Sequence, residues 1–316
     1  MGLPVGLQEL LRRQHYHLIG KYKHAAVKRC YWLHAALTKR VFCYKNWYGI
    51  ESHRCCQMTP ILSCPNACLH CWRLERLDLN VKWDEFNLGV LDEPSIIVRE
   101  AIEEQRRILS GYKKNPMVDQ RMYEEALHPK HFAISLAGEP TLYPYIGDLL
   151  RECHRYGITT FLVTNGLYPK VLSTLNEEPS QLYISVNAPN EELFKSVCRP
   201  SLPDAWLRLL ESLKMLQSFK CPTAVRITLI AGINTDKPQE YAKLIKIAQP
   251  TYVEVKAYMY LGFSRYRLKL ENMPRHRHVR SFAEALAEAI GYEKIAESLH
   301  SRVVLLSRLK KPVKVA

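Results

Sequence analysis

"HFAISLAGEPTLYPYIGDLLRECHRYGITTFLVTNG" (residues 131–166) holds the pattern on which the fold turns. It opens on a short apolar run that ends in a Gly-containing turn. It continues as "YIGDLLRECHRYG", whose apolar residues recur at helical spacing. A second apolar run, "ITTFLVTNG", closes the stretch, again in polar residues and glycine. A strand, a helix and a strand, with near-continuous apolar strands, describe a parallel pair covered by a helix.

The alternation continues downstream. "QLYISVNAP", "AVRITLIAGIN" and "YVEVKAYMYLG" read as strands, with "LPDAWLRLLESLKMLQSF" and "QEYAKLIKIAQ" as helices between them. "QMTPILS" reads as a first strand and "RVVLLSR" as a last one. About six or seven βα units favour an α/β fold, a complete or partly open (β/α) barrel, over a doubly wound sheet. Chemistry is then expected at the C-terminal strand ends. Residues 1–56 are basic, bear cysteines and read as helical, forming an N-terminal extension to a barrel domain over residues 57–316. Within that domain, about residues 72–128 read as an insertion that includes the helix "PSIIVREAIEEQRRILSGYKK".

The chain has 316 residues and 45 Lys plus Arg against 31 Asp plus Glu, a formal net charge of +14. A surplus of this size attracts polyanions, which makes nucleic acid the leading partner class. There is no apolar run long enough to span a membrane, and "MGLPVGLQELLRRQ" lacks the apolar block of a signal peptide. No membrane association is expected, and the expected location is cytoplasmic.

Ten cysteines are unusual for a reducing compartment, and seven of them fall between Cys30 and Cys71. Clustering of this kind points to metal. Cys64, Cys68 and Cys71 in "CPNACLHCW" are spaced C-x3-C-x2-C. A structural zinc site takes four ligands, with His70 or an upstream cysteine as the fourth. An iron–sulfur cube held by three thiolates leaves one iron open. Both readings stand on spacing alone.

The same spacing, after a strand at the start of a barrel, resembles the radical S-adenosylmethionine superfamily. The resemblance implies that Cys64, Cys68 and Cys71 hold a [4Fe-4S] cluster whose open iron chelates S-adenosyl-L-methionine, the source of a 5′-deoxyadenosyl radical. Gly138 and Glu139 in "LAGEPTLYP" stand where the superfamily binds the amino group. Thr164 and Asn165 in "LVTNG", with Ser185 and Asn187 in "ISVNAP", are implied for the ribose and carboxylate. Arg226 in "VRITLI" is expected to fork a carboxylate.

The segments "VKRC", "CYK", "YGIESHRC", "MTP", "CPNACLHCWR", "AGEPTLYP", "VTNG", "QLYISV", "VEVKAYMYLGFSR" and "HSRVVLL" together extend the likeness. From about residue 15 to 308 the chain is similar to the tRNA 4-demethylwyosine synthases of the wybutosine pathway, in their single-domain archaeal form. That family condenses N1-methylguanosine, next to the anticodon of tRNA-Phe, with pyruvate. The resemblance implies a second [4Fe-4S] cluster on Cys30, Cys43 and Cys55. The segment between "CYK" and "HRC" is a residue short of the family pattern, and Cys56 adjoins Cys55, so the third ligand is open between the two. Lys45 matches the lysine that forms a Schiff base with pyruvate. Such a lysine must be neutral, so nearby clusters, burial or positive neighbours such as Lys39 and Arg40 would have to lower its pKa. Chelation of pyruvate by the auxiliary cluster competes for the same role.

For RNA, Trp72, Tyr258, Tyr260 and Phe263 are candidates to stack a flipped base. Lys21, Lys23, Lys28, Arg29 and the run from Arg275 to Arg280 are candidates for phosphate. A separate low-potential electron donor of the flavodoxin or ferredoxin type and a monomeric state are expected. Two other readings remain: a radical activase of a partner protein, and a zinc-stabilised RNA-binding protein without catalysis.

Overall fold

A computed structural model of the chain describes residue 3 and residues 5–79 and 89–315. Within the expected insertion, residues 80–88 lie outside the described residues. Ten strands form one sheet: β1 (His17–Ile19), β2 (Ala25–Lys28), β3 (Cys55–Thr59), β4 (His131–Ile134), β5 (Thr159–Thr164), β6 (Gln181–Ser185), β7 (Thr223–Leu229), β8 (Tyr252–Ala257), β9 (Glu293–Ser298) and β10 (Val303–Ser307). The helices are α1 (Val5–Arg13), α2 (Tyr31–Lys39), α3 (Pro94–Leu109), α4 (Gln120–Ala126), α5 (Ile146–Arg155), α6 (Pro169–Ser173), α7 (Glu191–Cys198), α8 (Ala205–Met215), α9 (Pro238–Ala248) and α10 (His276–Ile290).

Strands β3 to β8 run parallel in chain order, each neighbour joined to the next. Antiparallel hairpins flank them, β1–β2 on β3 and β9–β10 on β8. The sheet curls without closing, so of the two expected barrel forms the structure is the partly open one. The opening 56 residues are not simply helical. They supply β1 and β2 to the common sheet, and Cys55 and Cys56 already belong to β3.

Alternation along the parallel strands divides the apolar residues between two faces. The outer face packs under the helices, with Cys56, Met58, Phe132, Leu162, Ile184, Val225 and Val255 buried against α3, α5, α8 and α9. The inner face carries Phe161, Tyr183, Ala224 and Tyr252, which pack on Tyr48 and Ile50. Tyr48 ends a 3-10 turn, Tyr44–Tyr48, that plugs the inner face. Its Gly49 cap has φ +91°, a left-handed conformation that favours glycine. The C-terminal segment straps this plug. Val315 N donates to Tyr48 O at 2.9 Å, Lys314 Nζ to Asn46 O at 3.2 Å, and Val313 N to the Tyr252 hydroxyl at 2.7 Å.

Candidate functional site

Two groups of thiols lie at opposite ends of β3. Cys64, Cys68 and Cys71 follow its C-terminal end on an irregular loop, and other segments give that loop its shape. Ala67 N and Leu69 N donate to the carbonyls of Cys198 and Val197 at 3.0 and 2.9 Å, and Ser201 N donates to Pro65 O at 2.9 Å. Arg199 donates to Ala67 O, Arg267 to the carbonyls of Leu69 and Cys71, and Arg73 to those of Ser135 and Leu136. Three guanidinium groups therefore clamp backbone beside the thiols. Glu75 is buried among them, and burial pushes its carboxyl up to about 8 despite Arg267.

Each sulfur has a different neighbour. Asn165 Nδ2 lies 3.9 Å from Cys64 Sγ and Arg73 Nη1 lies 3.8 Å from Cys71 Sγ, while the Cys198 thiol hydrogen-bonds Cys68. Burial raises Cys64 and Cys71; for Cys68 the bond with Cys198 comes first and burial second. A bound metal reverses this preference, because it binds the thiolate. Among the described residues, Asn66 Oδ1, His70 Nδ1, Arg76 Nε and Ser201 Oγ are buried without a partner, all on this loop or its straps. Also among the described residues, no three His, Cys, Asp or Glu side chains converge closely enough to share one metal ion. Three thiols on one loop beside orphaned buried polar groups are a donor set that fits an iron–sulfur cluster with a polar ligand on its open iron. Burial holds His70 down at about 4, so its imidazole is neutral.

The strand ends facing this loop are tied to one another. Gly138 has φ +69°, and a Cβ there would meet Ile61 O at 2.1 Å and Ser63 O at 2.8 Å, so only glycine allows the approach. Glu139 N donates to Ser63 O at 2.7 Å. The Glu139 carboxylate accepts from the Thr164 hydroxyl at 2.6 Å, Asn165 N at 2.7 Å and both donors of Thr141. It therefore staples the ends of β4 and β5 together. Asn187 Oδ1 accepts from Thr228 N at 3.2 Å. Ser185 is half-buried, and its hydroxyl has no hydrogen bond among the described residues. Gly138, Glu139, Thr164, Asn165, Ser185 and Asn187 thus share the C-terminal strand ends with the cysteine loop.

Arg226 does not join them. Its Nε and Nη2 bond Glu254 Oε2 at 3.0 and 2.7 Å, and Nη2 also reaches the Tyr44 hydroxyl at 3.0 Å. The fork read from the sequence is occupied by a carboxylate of the protein itself. Glu254 is 0% exposed, and the hydroxyls of Tyr44, Tyr48 and Tyr183 each donate to it at 3.0 Å. Burial alone would raise this carboxyl, yet Arg226, Lys45 and the hydrogen bonds hold it below the usual range.

Lys45, on the plug, lies in the same group. Its Nζ sits 4.2 Å from the Phe161 ring centroid and 4.7 Å from that of Tyr183. Burial, then Arg226, lowers its pKa to about 8. Lys39 and Arg40 are not the cause: both are exposed, and Arg40 pairs with Asp119. Cys30 caps α2, Cys43 caps the plug and Cys55 begins β3. These thiols are close enough to repel as thiolates. Burial and then Cys30 push Cys43 up to about 11, and the same two causes lead for Cys55. Cys56 faces the opposite side of the sheet, fully buried near Cys153. Cys55, not Cys56, therefore shares a space with Lys45.

The aromatic and basic candidates are partly spoken for. Lys28 Nζ lies 5.0 Å and Arg73 4.9 Å from the Trp72 ring, and the Tyr258 hydroxyl is buried on Ser264. Arg280 and His276 pair with Glu297, and Arg29 bonds Tyr112. Among the described residues no helix is long and apolar enough to cross a membrane.

The chain matches the radical SAM superfamily over residues 58–245 and wyosine base formation over residues 247–308. The S-adenosyl-L-methionine-dependent tRNA 4-demethylwyosine synthase of Pyrococcus horikoshii is 48% identical, over 97% of this chain and 90% of its own length. A solved structure of TYW1 with a lysine–pyruvate adduct bound superposes with a TM-score of 0.89 at 34% identity, covering 100% of this chain and 99% of that one. A crystal structure of archaeal TYW1 gives a TM-score of 0.80 at 32% identity over 99% of both chains.

Proposed function

Because the chain belongs to the S-adenosyl-L-methionine-dependent tRNA 4-demethylwyosine synthases, within the radical SAM superfamily, we propose residue roles for that reaction at its two thiol groups. The protein is a tRNA-modifying enzyme that forms 4-demethylwyosine, and it uses S-adenosylmethionine and iron–sulfur chemistry. Cys64, Cys68 and Cys71 hold the [4Fe-4S] cluster that receives S-adenosylmethionine. Cys30, Cys43 and Cys55 hold a second one. Bound S-adenosylmethionine supplies the radical that takes hydrogen from the N-methyl group of N1-methylguanosine. Residues 1–56 act as the carrier of the auxiliary thiols and of Lys45 on a barrel domain.

Lys45 is the catalytic lysine. Its neutral amine attacks the carbonyl carbon of pyruvate, the oxygen leaves as water, and a carbon–nitrogen double bond remains. Burial against Phe161 and Tyr183 keeps water from the adduct, and the nearby Arg226 disfavours the ammonium form. Glu139 and its hydrogen-bonded strand ends fix the rim on which S-adenosylmethionine lies. The single observation that carries this assignment is the burial of Lys45 with Cys43 and Cys55, on the inner face of a sheet whose first parallel strand leads directly to the three-cysteine loop. The electrons come from a separate donor of the flavodoxin or ferredoxin type, and the enzyme works as a cytoplasmic monomer on tRNA-Phe.

The test is an anaerobic assay of tRNA carrying N1-methylguanosine with S-adenosylmethionine, pyruvate and a low-potential reductant. A tricyclic nucleoside should form, and it should vanish in Cys68→Ala. Cleavage of S-adenosylmethionine without a change in tRNA mass would refute the substrate assignment.

A further inference from the structure

The inner face of the sheet holds one guanidinium whose orientation is fixed and whose outer edge is unused. Arg226 is anchored through Nε and Nη2 by Glu254 and Tyr44. Glu254 is itself held by three tyrosine hydroxyls, so the anchor cannot swing away. Nη1 has no hydrogen bond among the described residues, although the side chain is only 17% exposed. Arg226 and Lys45 also share one ring: Arg226 Cζ lies 4.6 Å and Lys45 Nζ 4.7 Å from the centroid of Tyr183. The lysine amine and the guanidinium are therefore neighbours about one ring, near enough that each acts on the charge of the other.

Lys256 is a further inward cation, and it is less suited. Its ammonium donates to Ser301 O at 3.1 Å and lies over Tyr44. The arginines near the other thiols, Arg73, Arg199 and Arg267, are committed to backbone carbonyls.

We propose that Arg226 binds the carboxylate of the 2-oxo acid held on Lys45, through its Nη1 edge, with Glu254 as the residue that positions the guanidinium. This rests on the Lys45 assignment above. A planar guanidinium suits a planar carboxylate, and a charge-assisted bond in a desolvated site is worth more than a neutral one. The site so built selects 2-oxo acids over ketones and aldehydes of similar size, because only the acid brings the charge that the free edge lacks. Glu254 makes that selection economical in motion: the arginine is already aimed before substrate arrives, so little ordering remains to be done on binding.

The experiment uses the cluster-reconstituted enzyme and borohydride trapping of either pyruvate or its neutral methyl ester, scored by mass on Lys45 across a concentration series. Arg226→Gln should raise the pyruvate concentration for half-maximal trapping by about 10- to 100-fold, the loss expected for one charged hydrogen bond. Half-maximal trapping of the ester should move much less than that of pyruvate, because Arg226 acts on the ester only through the protonation of Lys45, an effect that both ketones share. The double variant Arg226→Gln/Glu254→Gln removes both members of the buried pair together and should give the same split if the single variant does not fold. Equal shifts for acid and ester, or an unchanged pyruvate dependence, would overturn the proposal while leaving Lys45 in place. Absence of Lys45-dependent trapping in the wild type would instead overturn the lysine assignment, and this proposal with it.

Discussion

Serine in place of Cys55 should remove one cluster's worth of iron, about four atoms per chain, from the reconstituted protein. Serine in place of Cys56 should leave iron content unchanged and cost about 1 kcal/mol of stability through disturbed packing. Iron and sulfide analysis of the two variants distinguishes them; iron loss in Cys56→Ser would reverse the assignment. The two residues are adjacent, and no spacing rule separates them. The pleat of β3 does, by sending one inward to Lys45 and the other outward to Cys153. Arg226 shows the same limit from the other side. Its capacity to fork a carboxylate was legible in the sequence, but the identity of that carboxylate was not, because Glu254 is 28 residues away and meets it only through strand pairing. A glutamate amid the apolar run "YVEVKAY" was the available signal, since a buried charge needs a partner. A further residue-scale effect concerns acid stability. Burial first, then Lys130, holds His131 at about 3, while its ring nitrogens bond Thr159 and Glu51. The folded protein refuses a proton that the unfolded chain accepts below about 6.5, so stability falls as pH drops from there toward 3. Melting temperatures across that range should decline less steeply in His131→Asn than in the wild type.

At the scale of elements, the close crossing of the β4 end over the cysteine loop depends on Gly138. Alanine there carries left-handed backbone strain of about 1–3 kcal/mol and a clash with backbone that cannot move aside. Gly138→Ala should lower the melting temperature and weaken binding of S-adenosylmethionine, measured calorimetrically. A normal affinity would show that the crossing tolerates displacement. Glu254→Ala strips three tyrosines and an arginine of their shared acceptor, and breaking a buried pair in this way typically costs about 3–5 kcal/mol. Denaturant unfolding reads that loss directly, and a change under about 1 kcal/mol would mean that water replaces the carboxylate. The parallel strands β4 to β8 were legible because strands buried on both faces are apolar throughout. The hairpin β1–β2 was not. "HLI" and "AAVK" are too short for periodicity to show, and the sheet rather than the local sequence holds them extended.

For the whole molecule, the surplus of 14 positive charges predicts that tRNA affinity falls steeply with salt. Raising the salt from about 50 to 200 mM should weaken binding at least about tenfold, because each phosphate contact releases counterions. Filter binding across that range would expose a flat response, which would remove the polyanion reading of the charge. Composition alone carried that expectation, but not where the charge acts. Arg280 is paired with Glu297 within the protein, so the basic run that ends on it overstates the free positive surface.

The strap on the plug has a consequence for how the chain matures. Residues 313–315 hold the turn that carries Lys45, with a contact from Lys314 to Asn46 that spans 268 positions. During synthesis the lysine emerges early, yet its seat on Phe161 and Tyr183 is made much later, and the strap on its turn later still. Long-range contacts of this kind form late in folding. Until residues 313–315 dock, the turn that carries Lys45 lacks the contacts made to Asn46 and Tyr48. Cys43, which caps that turn, should then label faster with a thiol reagent in a chain lacking residues 313–315 than in the full chain.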